Sequence, residues 1–207
     1  MKVGLDVFGG DHAPRATVEG ALLFKEARQD CELILYGPTN AIQAIAEEKG
    51  FSGPLNIVHT EDKIQMGAHP TKAFVRSPNS SIALGFGQLK SGEIDAFASA
   101  GNTGAMLVGS MYTIKSIEGV IRPCITSVLP KENGGVNIIL DVGINSDCKP
   151  DVLDQFAVLG SIFADKIYGI KNPKVGLLNI GEEEGKGNLL AQAAYRIMKD
   201  NDDFNFV

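Results

Sequence analysis

Apolar and polar positions fall into blocks along the whole chain, and the blocks change period as they go. KVGLDV, CELILYG, PLNIVHT and IDAFASA are short apolar runs of strand character. RATVEGALLFKEA, TNAIQAIAEEKG, SSIALGFGQLKSG and TGAMLVGSMYTIK, which lie between and after them, carry helical spacing. Beyond Pro123 the runs CITSVLP and VNIILDV read as strands, KPDVLDQFAVLGSIFADKI as a helix, KVGLLNI as a strand and NLLAQAAYRIMKD as a helix. Such alternation predicts βαβ units. NIILDV and VGLLNI are apolar without a break, which is expected of parallel strands covered on both faces. The fold class expected is therefore α/β, a three-layer sandwich with a mostly parallel sheet, forming a single α/β domain over residues 1–207. KENGG, between CITSVLP and VNIILDV, allows a hairpin insertion near 123–141. Glu61 to Lys72, EDKIQMGAHPTK, is expected to be a long mobile loop. The closing FNFV reads as a strand just begun.

Four of the expected strands run into polar, glycine-bearing loops and then into helices: DVFGGDHAP, SAGNTGA, DVGINSDCKP and NIGEEEGKGN. In a parallel sheet the carboxyl ends of the strands share one edge, so these loops are expected to meet at one crevice. Helix starts there offer unpaired N–H groups, and glycines let a ligand approach the backbone. An anion or a strongly polar oxygen is the ligand expected. Glycines also serve ordinary tight turns, and for any single loop that explanation is as good; four together favour a site.

Composition narrows the classes. The chain has 207 residues, 44% hydrophobic and 21% charged, with a formal net charge of −6. That is a globular composition, and its acidic balance argues against a broad nucleic-acid footprint. Cys31, Cys124 and Cys148 are odd in number and widely spaced, so neither a disulfide framework nor a zinc site is expected. The N-terminus turns polar too early for a signal peptide, and no segment reaches the roughly 20 apolar residues of a membrane span. A cytoplasmic protein without cofactor or metal is expected.

Familiar signatures fail on inspection. GEEEGKGN resembles a P-loop but is one residue short between its glycines and lacks Ser or Thr after Lys186. No GxGxxG follows the first strand and no GxSxG is present. Single residues carry two explanations each. His12, beside Pro14 at a helix start, is either a surface or capping histidine or a proton donor at a reacting oxyanion. Asn102 and Thr103 cap a helix, bind phosphate, or both. Lys186 either meets phosphate or pairs with Glu182, Glu183 and Glu184 at the surface.

GGDHAP, NSSI, SAGNTGA, IRP, LDVGIN and LLNIGEEEGKGN occur in this order, and together they resemble the bacterial phosphate acyltransferases of the PlsX family, the fatty acid/phospholipid synthesis proteins. The resemblance runs through essentially the whole chain. It implies a fold similar to the isocitrate and isopropylmalate dehydrogenases and to phosphotransacetylase. It also implies a reaction in which inorganic phosphate attacks the thioester of a long-chain acyl-[acyl carrier protein], giving acyl phosphate for phospholipid synthesis. Phosphate is itself the nucleophile, so no covalent enzyme intermediate is required. By motif position the resemblance implies His12, Asn102 and Lys186 as catalytic residues. Asp11, Ser99, Gly101, Thr103, Gly104, Asp141, Asn145 and Asn188 are implied as substrate-binding. Implied partners are acyl carrier protein, a second copy of the chain in a homodimer, and a membrane glycerol-phosphate acyltransferase reached by peripheral association with the inner face of the membrane. Arg15, Lys63, Lys72 and Arg76 are candidates for meeting the acidic carrier protein. Where relatives commonly carry lysines before NSS, this chain has Arg76, Ser77 and Pro78, which weakens that segment as a basic dock. Family members continue past Val207, so a C-terminal portion is expected beyond it. Two alternatives remain: a phosphotransacetylase-like enzyme acting on short acyl-CoA, and a non-catalytic module that binds acyl chains or carrier protein.

Overall fold

The computed structural model describes residues 1–145, 147–181, 183 and 185–207. They divide into two compact units, Met1–Lys115 and Ser116–Val207.

The first unit runs β1 (Lys2–Asp6), α1 (Arg15–Ala27), β2 (Glu32–Gly37), α2 (Thr39–Glu48), β3 (Asn56–His59), α3 (Pro70–Arg76), α4 (Ser81–Ser91), β4 (Ala96–Ala98) and α5 (Thr103–Gly109), which continues as a π-helical turn over Ser110–Ile114. Its four strands are all parallel, in the order β3-β2-β1-β4. The chain therefore steps outward from β1 through β2 to β3, then returns across the sheet to add β4 on the other side of β1. That reversal makes the gap between β1 and β4 the topological switch point, where open α/β sheets leave a crevice beyond the strand ends.

Strand alternation decides which side chains go where. Val3, Leu5 and Val7 point with Leu33 and Leu35 toward one face, where they meet Val18, Ala21 and Leu22 of α1 and Ile42, Ile45 and Ala46 of α2. A Val, Leu or Ile side chain fully buried there contributes about 1.5–3 kcal/mol. The opposite face receives α4. A Cβ on Gly85 would lie 2.1 Å from the Phe97 ring, so only glycine lets α4 settle on that aromatic side chain. Phe97 in turn sits edge-on to Tyr36 and Phe86, at centroid distances of 5.6 and 5.4 Å. The Tyr36 hydroxyl donates to Gln88 Oε1 at 2.5 Å, and burial, helped by the charge of Glu93, pushes its phenol up to about 12. Helices on both faces of a parallel sheet make this unit the expected three-layer α/β arrangement.

The second unit runs β5 (Thr126–Pro130), β6 (Val136–Leu140), α6 (Pro150–Tyr168), β7 (Lys174–Val175), α7 (Leu189–Met198) and β8 (Asn205–Phe206). β5 and β6 pair antiparallel across a turn in which Gly134 and Gly135 both take positive φ, 83° and 86°. β7 and β8 pair in parallel. Ala157 of α6 packs with Ala194 and Met198 of α7 and with Phe204.

Several expectations differ from the structure, the first being NIILDV, expected as a parallel strand, which pairs antiparallel as β6. KVGLLNI is a strand only at Lys174–Val175, because β8 pairs just two residues, Asn205 and Phe206; Leu178 and Ile180 beyond are 82% and 89% exposed. Pro70–Arg76, split between the end of the expected loop and the segment after it, is a helix with Pro in its first turn. The rest of that expected loop is fastened rather than free. Asp62 N donates to Thr60 Oγ1, Ser81 N donates to Asp62 O, and Lys63 Nζ stands 5.9 Å from the centre of the Phe8 ring. Among the described residues no helix is long and apolar enough to cross a membrane.

Candidate functional site

The loop after β1 and the loop after β4 meet at the switch point, and a buried carboxylate joins them. Asp6 ends β1 and is 2% exposed. Its Oδ1 accepts from Phe8 N at 2.9 Å, and its Oδ2 accepts from Ser99 Oγ at 2.7 Å. With its hydroxyl hydrogen directed at Asp6, Ser99 Oγ accepts from Gly101 N at 2.9 Å. This chain of hydrogen bonds through Asp6 and Ser99 fixes both loops. The backbones are correspondingly close: a Cβ on Gly9 would lie 2.7 Å from Gly101 N and 2.8 Å from Ala100 N. Thr17 Oγ1 ties the first turn of α1 back to this corner by donating to Val7 O at 2.9 Å.

Asn102 is 4% exposed and fully engaged. Its Oδ1 accepts from Ala105 N at 2.9 Å and caps α5. Its Nδ2 faces three carbonyl oxygens, those of Gln65, Met66 and Ala68, at 3.0, 3.0 and 3.1 Å. Helix cap and loop anchor thus share one side chain, which holds the loop before α3 against the start of α5. Gly104 is a second point of that contact, since a Cβ there would lie 2.4 Å from Pro70 Cγ. The side chain of Asn102 has no polar atom left for a ligand; its contribution is the shape of the crevice.

The tips left open are different residues. Asp11, His12 and Thr103 are exposed, and among the described residues their side chains have no hydrogen-bond or ion-pair partner. An imidazole, a hydroxyl and a carboxylate on the two joined loops provide a proton carrier, a neutral donor and an acceptor. Of the basic candidates, Arg15 is engaged by Glu48 in a two-pronged pair at 2.8 and 2.7 Å and by Glu19 at 3.3 Å, which raises its pKa through the bond to Glu48 first. Lys72 and Arg76 are exposed and unpaired among the described residues.

Asp141 and Asn145 belong to the second unit and face each other. Asp141 Oδ1 accepts from Ile125 N at 2.7 Å, while Oδ2 accepts from Ile144 N at 3.0 Å and Asn145 N at 2.6 Å. Asn145 Nδ2 donates to Pro123 O at 2.9 Å. Burial works to raise the Asp141 pKa, but the amides of Ile125, Asn145 and Ile144 and the Asn145 side chain outweigh it and hold the carboxyl below its ordinary range. The pair binds the DVGIN turn to the segment before β5. In the loop before α7, Asn188 Oδ1 caps the helix by accepting from Ala191 N at 2.8 Å. Asn179 Nδ2 donates to Lys186 O at 3.0 Å, and Gln192 Nε2 donates to Gly185 O at 3.0 Å, so the backbone of this loop is held at both ends. The Lys186 ammonium is exposed and has no partner among the described residues; it forms no ion pair with Glu183, and Glu182 and Glu184 lie outside the described residues.

Asp6, Asn179 and Gln192 are the organising residues that motif position did not single out. A signal for Asp6 existed: a carboxylate between Leu5 and Val7 interrupts an apolar strand and needs partners if buried. Asn179 carried no such signal, because its contact with Gly187 depends on a backbone turn of φ 90°.

Comparison with known proteins gives these loops a context. The family model described as "Fatty acid synthesis protein" matches residues 1–207. The chain is 40% identical over 208 residues to a phosphate acyltransferase of Caldicellulosiruptor bescii and 42% identical over 209 residues to one of Dictyoglomus turgidum. In both cases 100% of this chain and 62% of the relative are covered, so the chain spans less than two thirds of the length of these relatives. Among solved structures, a phosphotransacetylase, EutD, from Staphylococcus aureus aligns with TM-score 0.64 at 18% identity, over 100% of this chain and 67% of that one. A branched-chain phosphotransacylase from Enterococcus faecalis aligns with TM-score 0.61 at 15% identity, over 99% of this chain and 67% of that one. At such identities the likeness concerns the fold alone.

Proposed function

The chain belongs to the fatty acid synthesis protein family, and from that premise we propose that it serves as a phosphate acyltransferase in phospholipid synthesis. Inorganic phosphate and a long-chain acyl-[acyl carrier protein] give acyl phosphate and free carrier protein. The observation that carries the proposal is the similarity of all 207 residues, at about 40% identity, to proteins named phosphate acyltransferase. The switch-point crevice supports it physically, because two glycine-bearing loops are fixed there by Asp6 and Asn102 while the tips of His12 and Thr103 stay open.

In the reaction a phosphate oxygen attacks the thioester carbon, the carbonyl oxygen takes the negative charge, and collapse breaks the C–S bond. His12 gives a proton to the departing thiolate or a hydrogen bond to the oxyanion. Thr103 and the nearby amides receive phosphate; Lys186, in the second unit, is a catalytic candidate by motif position. Asn102 and Ser99 act as positioning residues, as do Asp141 and Asn145 within the second unit. Asp11, Gly101, Gly104 and Asn188 line or shape the loops. Acyl carrier protein, which is acidic, docks on Lys63, Lys72 and Arg76, so its KM rises with salt. The active form is a homodimer at the cytoplasmic face of the membrane, associated peripherally with a glycerol-phosphate acyltransferase.

Incubation with long-chain acyl carrier protein and phosphate, followed by trapping with hydroxylamine, is the direct test. Hydroxamate formed only when phosphate is present is expected. Product from acetyl-CoA alone would instead indicate a short-chain phosphotransacetylase, and no product from either donor would refute the acyltransferase assignment.

A further inference from the structure

The second unit contains a half-open cavity of about 450 Å³ between the β5–β6 hairpin, α6 and β7. Its size lies within the roughly 300–1,000 Å³ range of small-molecule sites. Leu129, Ile138, Leu140, Phe156, Ile170 and Leu178 give it apolar walls. The hairpin and α6 meet closely at Gly160, where a Cβ would come within 2.9 Å of Leu140 Cδ1.

Charge specifies what would enter. The chain carries a net charge of −6, yet no Asp or Glu is among the described residues lining the cavity. Its two charged lining residues are Lys131 and Lys174, both exposed and neither ion-paired among the described residues. The Ser161 hydroxyl is already used on Ala157 O, so it does not compete as a polar anchor. We propose that this cavity binds a single-chain anionic amphiphile, with its hydrocarbon chain between hairpin and α6 and its head group on Lys131 and Lys174. That the amphiphile is a fatty acyl phosphate or fatty acid rests on the acyltransferase function; that the site takes a chain with an anionic head does not.

The chain has no tryptophan, so a Leu129→Trp protein carries a single reporter at the cavity wall. Dodecyl phosphate, below its micelle concentration, is expected to shift that emission to the blue at one equivalent and to bind more tightly than dodecanol. The same reporter with Lys131→Glu and Lys174→Glu should bind dodecyl phosphate about tenfold or more weakly, a loss of about 1.4 kcal/mol, and dodecanol unchanged. Calorimetry on the unmodified protein guards against an effect of the reporter. Absence of dodecyl phosphate binding overturns the proposal, as does equal binding of phosphate and alcohol that ignores both lysines. Dodecanoate in place of dodecyl phosphate separates a carboxylate from a phosphate head. Binding with no acyl phosphate formation would overturn the acyltransferase function and leave the site standing; turnover without binding would do the reverse.

Discussion

Ser99 Oγ donates to Asp6 Oδ2 at 2.7 Å across 93 residues of sequence, and this bond locks the end of β4 to the end of β1. Because Asp6 is 2% exposed, protein donors and not water satisfy its carboxylate oxygens. Replacing Asp6 by Ala leaves Phe8 N and the Ser99 hydroxyl without their acceptor, while Ser99→Ala removes one donor from a buried carboxylate. Each should cost about 1.5–3 kcal/mol in urea unfolding. In a double-mutant cycle the two losses should fall short of additivity, since both remove the same bond. Strict additivity would mean that the contact does not couple the loops.

Asn102 combines two duties that substitution can separate. Asn102→Ser keeps an oxygen able to cap α5 but cannot reach Gln65, Met66 and Ala68 with a donor. The cap remains, and the loop before α3 should lose hydrogen-exchange protection. Asn102→Ala should lose both, costing about 1 kcal/mol for the cap alone. If the loop amides exchange equally in all three proteins, the anchoring role is wrong.

Much of this was legible in the sequence, and the exceptions share a cause. KVGLDV and CELILYG, read as strands, are parallel neighbours whose Val3, Leu5, Leu33 and Leu35 have helices to face, whereas NIILDV, whose unbroken apolar run implied a parallel strand, pairs antiparallel in the hairpin. The same logic fails at KVGLLNI, where apolar Leu178 and Ile180 follow a pairing of only two residues; periodicity reports what a strand needs and not whether a neighbour supplies it. The motif SAGNTGA correctly marks a special loop. Its individual roles were hidden, since whether Asn102 points at a ligand or at Gln65 depends on a segment 37 residues earlier.

His12 offers the clearest separation of chemistry from folding. Its ring has no partner among the described residues, so His12→Ala should leave the unfolding midpoint unchanged. Loss of a general acid or oxyanion donor should lower acyl phosphate formation by about 10²–10⁴-fold. A stable protein with full activity would remove His12 from the reaction.

Gly9 has no room to change. Its Cβ would press on Gly101 N and Ala100 N, backbone atoms that cannot rotate away, so Gly9→Ala must part the two loops. The KM for phosphate is expected to rise more than the KM for the acyl donor, with about 1–3 kcal/mol of overpacking strain appearing in stability. Equal changes in both constants would argue that the loops do not bear phosphate.

Acid should act on the second unit through Asp141. Its folded pKa lies below the ordinary carboxylate value, so the unfolded chain binds the proton more readily. The stabilisation is therefore complete above the unfolded pKa of about 4 and is lost as pH falls through the lower folded value. Asp141→Asn replaces one of the two acceptor oxygens with an amide that cannot accept from Ile125, Ile144 or Asn145 N–H. The variant should be less stable at pH 7, and its unfolding free energy should fall less than that of the natural sequence between pH 5 and pH 2. Parallel pH profiles for the two proteins would show that the donors around Asp141 do not favour its charged form.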